Sequence, residues 1–167
     1  MDRKAFWKMI DDARPKRGGD REHAQRLEKN LASLDVAEIV SFERNLVELM
    51  HESRSADLWN VVRIIQGGCG DDGFDYFRGW LILKGEKAFY DVLENPRRLP
   101  GHLKKKEFGC CQEMGGVARQ AFVRKTGRWD MPYDGPKGPG ALKGRLIADE
   151  EELKNAYPDL WKKYVEE

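Results

Sequence analysis

The residues with the most chemical promise in this 167-residue chain fall in one stretch, Gly67-Gly68-Cys69-Gly70-Asp71-Asp72-Gly73-Phe74-Asp75-Tyr76-Phe77-Arg78. Asp71, Asp72 and Asp75 offer hard oxygen ligands, and Asp71 or Asp72 could act as a general base. Arg78 offers a planar fork for an anionic group. The glycines would let backbone N–H groups approach an anion at the start of the following helix. Each reading meets an objection. The acidic positions do not alternate toward a distant Glu as in a calcium loop. Three carboxylates repel a phosphate, and no Gly-Lys-Ser/Thr follows. Acid groups beside Cys69 disfavour its thiolate. A structural reading accounts for the same residues: a tight turn, a helix capped at Asp72 with Asp75 three residues on, and an Asp75–Arg78 ion pair. Upstream, Asn60 and Arg63 make a second polar pair on an otherwise apolar helix. The candidate binding residues are therefore Asn60, Arg63, Cys69, Asp71, Asp75 and Arg78. The catalytic candidates are Asp71, Asp72, Asp75 and Arg78.

Little else in the chain suggests chemistry. Cys110 and Cys111 are adjacent, about 100° apart on a helix, which is poor geometry for zinc. His23, His51 and His102 are scattered singly. No metal site and no cofactor is expected. Two basic stretches, Arg14 to Arg21 and Arg97 to Lys106, could meet phosphates or an acidic partner, but aromatic residues interleave with them poorly.

Helices must position these groups. Asp2 can cap a first one carrying Phe6, Trp7, Ile10 and Ala13, which Pro15 and Gly18-Gly19 end. A second runs from Asp20 to Ala32, and Asp35 with Glu38 opens a third through about residue 51. Helices over 57–66 and 73–84 flank the Gly-rich elbow and are apolar on most sides, the mark of central, buried elements. The run Val61 to Ile65 could be a strand, but no partner strand is evident. A short helix over 86–94 ends at Pro96. A longer one is predicted over 105–125, with Phe108, Cys111, Gly115, Ala118 and Phe122 along one stripe. Residues 127–144 are Gly- and Pro-rich and predict a loop. Asp149 and Glu152 open a last helix, and Pro158 restarts it.

The totals agree with one soluble unit. There are 30 basic and 29 acidic residues, so a net charge of +1 exerts no general pull on nucleic acid or membrane. With 40% hydrophobic and 35% charged residues the chain can bury a core. No apolar run approaches the roughly 20 residues of a membrane span, and no secretory signal is apparent. Three cysteines do not make a disulfide framework, so the expected location is cytoplasmic.

The central stretch, read on through Gly79-Trp80-Leu81-Ile82, closely resembles the signature of a bacterial family known as domain of unknown function 4240. Phe6-Trp7, Leu58-Trp59, Asn95-Pro96, Thr126-Gly127 and Tyr157-Pro158-Asp159-Leu160-Trp161 extend the likeness over most of the chain. Gly70 stands where the family usually has Ser, and Arg97 where it often has Asp. The resemblance implies a mostly helical intracellular domain and no established activity.

The expected fold is a single all-α bundle over 1–167, with about seven or eight helices around the buried helix 73–84. The leading functional expectation is a binding or regulatory module rather than an enzyme, meeting a protein partner near the 67–78 elbow. The alternative is a small enzyme in which Arg63, Asp71, Asp72, Asp75 and Arg78 converge on a small anionic ligand. Nucleic-acid binding is the weakest alternative, and no membrane role is expected.

Overall fold

Side-chain caps open several of the helices in the computed structural model, which describes residues 1–167 throughout. Asp2 accepts the Ala5 N–H at 2.7 Å and starts α1 (Arg3–Asp12). After α2 (Asp20–Ala32), Asp35 accepts the Glu38 N–H at 2.8 Å and starts α3 (Val36–Glu52). Ser55 accepts the Leu58 N–H at 3.1 Å and starts α4 (Ala56–Gln66). Each such cap satisfies a backbone donor that the helix itself cannot, an effect of about 1 kcal/mol.

The elbow differs from expectation in one respect. α5 (Asp71–Leu83) begins one residue before Asp72, with Gly70 at the cap position and no side-chain cap. Asp71 and Asp72 instead occupy the first turn, where their charges complement the helix dipole. α4 ends on a pair of backbone bonds, from the Gly68 N–H to the Arg63 carbonyl at 2.8 Å and from the Gly67 N–H to Ile64 at 3.4 Å.

α5 is the central element. Phe74, Phe77, Trp80, Leu81, Ile82 and Leu83 are all fully buried. Removing each such side chain from water contributes roughly 1.5–3 kcal/mol. The rings form a continuous row: Trp59 to Phe74 at 4.6 Å, Phe74 to Phe77 at 6.3 Å, and Phe77 to Trp80 at 5.6 Å between centroids. Around α5 pack α1, α2, α3 and α6 (Glu86–Glu94). Val61 to Ile65 are helical, not a strand. After the 3-10 turn Pro96–His102 and an irregular segment come a second 3-10 turn (Gln112–Gly116), α7 (Val117–Thr126), α8 (Glu150–Ala156), α9 (Pro158–Trp161) and a final π turn (Lys162–Glu166). The chain is a single all-α domain with one core of 37 buried residues.

The long helix expected over 105–125 does not form. Lys106 and Gly109 have left-handed φ values of 65° and 67°, which no right-handed helix can contain. Gly109 lies flat on the Trp80 ring, where a Cβ would come within 2.9 Å of Cε3. Phe108, expected on the buried stripe, is consequently 61% exposed. Gly79 on α5 permits a close approach to this segment. A Cβ there would stand 3.1 Å from the Met114 Cβ and 3.2 Å from the Cys111 carbonyl.

The Gly- and Pro-rich loop is an ordered strap laid along α3 and the start of α4. Arg44 holds Asp134 at 2.6 Å, and the His51 ring meets the Gly138 carbonyl at 2.8 Å. The Lys143 N–H donates to the Arg54 carbonyl at 3.0 Å, and its own carbonyl accepts the Ala56 N–H at 2.7 Å.

Candidate functional site

Beneath the strap lies a cavity of about 570 Å³, floored by α3 and α5. Val47, Met50 and His51 reach it from α3, and Asp75, Tyr76 and Arg78 from α5. Gln112 and Gly115 close one end, and Gly138 and Pro139 of the strap form the roof.

The expected Asp75–Arg78 pair is present, and its two halves lie in different surroundings. The Arg78 side chain is 1% exposed and that of Asp75 is 46% exposed. Arg78 donates through Nη2 to Asp75 Oδ1, through Nη1 to the Met50 carbonyl, and through Nε to the Phe74 carbonyl at 3.4 Å. Its guanidinium also lies 4.7 Å from the Phe74 ring centre, within cation–π range. Burial lowers the Arg78 pKa, and Asp75 pulls it back up. The pair is thus a buried cation turned inward and a carboxylate half open to the cavity.

The other candidates lie elsewhere. Asp71 is exposed and stands 3.7 Å from Arg54, whose guanidinium lies over Trp59. Asp72 is exposed in the same turn. Cys69 is half-buried; burial is the main cause raising its thiol pKa to about 11. Its carbonyl accepts the Trp59 indole N–H at 2.9 Å. Asn60 is buried and accepts the Ile147 N–H at 3.1 Å, while Arg63 donates to the Ile147 carbonyl at 2.6 Å. Arg63 also borders a separate cavity of about 330 Å³ beside Leu153 and Trp161. The seven candidates therefore divide three ways. Asp75 and Arg78 line the cavity beneath the strap, Asn60 and Arg63 clasp residue 147, and Cys69, Asp71 and Asp72 mark the outer elbow. Arg63, Asp71, Asp75 and Arg78 do not converge on one pocket.

Several lining groups carried no signal in the sequence. Tyr76 reads there as part of a helix apolar on most sides, His51 as an isolated histidine, Gln112 as a position within the helix predicted over 105–125, and Gly138-Pro139 as loop. The Met50 carbonyl that accepts from Arg78 is a backbone group 28 residues away, with no residue-type signature. Burial likewise raises the Cys111 thiol pKa, to about 12, so neither Cys69 nor Cys111 is a ready thiolate near neutral pH. No group of three or more His, Cys, Asp and Glu side chains is arranged to hold a metal ion.

One buried carboxyl lies outside the cavity. Glu43 on α3 accepts from Arg119 Nε at 2.9 Å, while its Oε2 is buried without a partner. Burial raises its pKa, and Arg119 offsets this only in part. The folded chain then holds that proton more tightly than the unfolded chain does. Its contribution to stability is largest at low pH and is lost as pH rises from the ordinary carboxylate range through the folded pKa. Glu43→Gln is expected to flatten this part of the profile. Urea midpoints of both proteins between about pH 4 and pH 7 check it.

No helix is long and apolar enough to cross a membrane. A family model described as a protein of unknown function (DUF4240) matches residues 1–124, from before α1 to within α7. No curated protein and no solved structure matched the chain.

Proposed function

Because the chain belongs to the DUF4240 family of proteins of unknown function, which brings no activity with it, we propose a function from the chain's own geometry. It is a binding module whose cavity between α3 and α5 receives a hydrogen-bond-donating side chain of a protein partner. The observation that carries this reading is the asymmetry of the central ion pair. Arg78 is sealed and directed at two backbone carbonyls and one carboxylate oxygen. Asp75 Oδ2 has no hydrogen-bond partner within the chain, and the carboxyl is half open to the cavity. An entering anion would meet that carboxylate before it met the arginine. An ammonium, guanidinium or amide group would be accepted, and Val47 and Pro139 supply apolar walls for its stem.

The same facts weigh against the enzymatic alternative, which needs the arginine free and the acidic groups gathered. They also weigh against nucleic acid as the occupant of this cavity. The three free thiols, two of them shifted well above their usual pKa, suit a reducing compartment such as the bacterial cytoplasm.

The test uses N-acetyl-arginine amide as a probe. Its titration is expected to shift the backbone amide resonances of Val47, His51, Tyr76 and Gln112. Asp75→Asn keeps an oxygen for Arg78 and removes the charge. It should weaken probe binding by roughly fivefold, the worth of about 1 kcal/mol for a half-exposed charge-assisted bond. Undiminished binding by Asp75→Asn, or acetate shifting the same resonances more strongly than the arginine probe, would overturn the reading.

A further inference from the structure

We propose that a second, separate surface docks an acidic segment of a protein partner. It is the groove between the 103–108 loop and the C-terminal turn, and its chemistry is opposite to that of the Asp75 cavity. The inference rests on which charges of the 97–106 stretch are engaged and which are not. Arg97 donates to the Ala156 carbonyl at 2.6 Å and lies over the Tyr157 ring. Arg98 pairs with Asp91 at 2.9 Å and Glu94 at 2.6 Å. His102 meets Asp91 at 2.6 Å. Lys104, Lys105 and Lys106 form no ion pair, and Lys163, which faces the same groove from the final turn, forms none either.

Glu107 also lines this groove, but both of its oxygens are already engaged. Its Oε1 accepts from the Trp80 indole at 3.0 Å and Lys84 at 2.8 Å, and its Oε2 from the Lys104 N–H at 2.8 Å. Glu166 of the final turn is itself paired with Lys154 at 3.0 Å. Four lysines without an ion pair therefore line one cavity of about 390 Å³, and the one carboxylate among its walls, Glu107, is held by Trp80, Lys84 and the Lys104 backbone. Like charges gathered along one groove repel, and an incoming row of carboxylates relieves that repulsion.

The floor between the lysines is apolar: Ile65, Leu103, Tyr164 and the exposed ring of Phe108. The loop is also pre-formed. Gln66 holds the Phe108 carbonyl at 2.6 Å, and Gly109 is packed on Trp80. A preformed apolar recess rimmed by unpaired cations fits an acidic peptide that carries one large apolar side chain. Nucleic acid fits less well. Arg98 is paired with Asp91 and Glu94, and Arg97 is tied to the Ala156 carbonyl and the Tyr157 ring, so few free cations continue the track along a backbone. A bilayer surface would meet the lysines but leave the recess unfilled.

The experiment measures fluorescence anisotropy of a labelled peptide, acetyl-Asp-Glu-Phe-Asp-Glu-amide, against the full chain. Binding that weakens with added salt is expected. The charge-reversed variant Lys104→Glu/Lys106→Glu/Lys163→Glu should bind at least about tenfold more weakly, with an unchanged circular dichroism spectrum because all three positions are at the surface. Replacing the peptide's Phe by Ser, or Phe108→Ser in the protein, should weaken binding severalfold while the salt dependence persists. Undetectable peptide binding, or binding unaffected by the charge reversal, overturns the proposal. So does tighter binding to a single-stranded oligonucleotide or to phosphatidylserine vesicles than to the peptide. Asp75→Asn should leave this binding unchanged, so the result is independent of what the Asp75 cavity accepts.

Discussion

Replacing Arg78 by alanine is expected to destabilise the fold by about 3 kcal/mol, at the lower end of the range for breaking a buried charge pair. The side chain is fully buried and makes contacts that no neighbour can replace. Its loss leaves a void beside Phe74 and removes the charged donor to the Met50 carbonyl, which keeps only the Ser53 hydroxyl at 3.3 Å. The abandoned Asp75 is half solvated, so its own penalty is small, which places the estimate low in the range. Thermal unfolding should drop by roughly 6–12 °C for a chain of this size. Arg78→Met separates the causes, because it fills most of the volume and donates nothing. It should recover part of the loss; full recovery would mean that the hydrogen bonds of Arg78 contribute nothing to stability.

Trp80→Ala is expected to cost about 3–5 kcal/mol, as removal of a large buried aromatic usually does. Trp80 has contacts on every side: Phe77 at 5.6 Å, the Lys84 ammonium 4.8 Å from its ring centre, Glu107 on its indole nitrogen and Gly109 against its face. The last two contacts hold the 103–111 segment in place. Two effects should therefore appear together, a lowered urea midpoint and faster amide hydrogen exchange across 103–111 than across α1 and α3. Trp80→Phe keeps the stacking and drops the N–H. It should show most of the exchange effect at Glu107 and a smaller loss of stability. Uniform acceleration over the whole chain in Trp80→Phe would show that the tryptophan does not anchor that segment specifically.

Most helices were legible in the sequence because their signals are local. Asp2, Asp35 and Asp149 cap helices as their spacing indicates, and α2 and α6 occupy the expected residues. The central helix was legible because its apolar residues cover most of its circumference. The Asp75–Arg78 pair was legible too, being three residues apart on that helix. What failed depended on backbone geometry or distant partners. Lys106 adopts a left-handed conformation that its residue type does not announce, and the helix predicted through it breaks there. Asn60 and Arg63 stood out as a polar pair, but their target is the backbone of residue 147, more than eighty residues on. The cavity itself needs the strap across α3, and nothing in its glycines and prolines says where it lies.

The grip of Asn60 and Arg63 on residue 147 has a consequence for where this protein can be divided. α9 and the final turn lie on α4, and Ile147, Leu153, Tyr157, Leu160 and Trp161 are buried members of the same core as Trp59 and Ile64. The family match stops at residue 124, before any of them. A piece cut at that limit would bare one face of α4, leave the Asn60 amide without its backbone partner and remove the roof of the Asp75 cavity. The matched span thus ends short of the boundary set by burial, and a piece that keeps this core and both surfaces must run past it to the final turn at Lys162–Glu166.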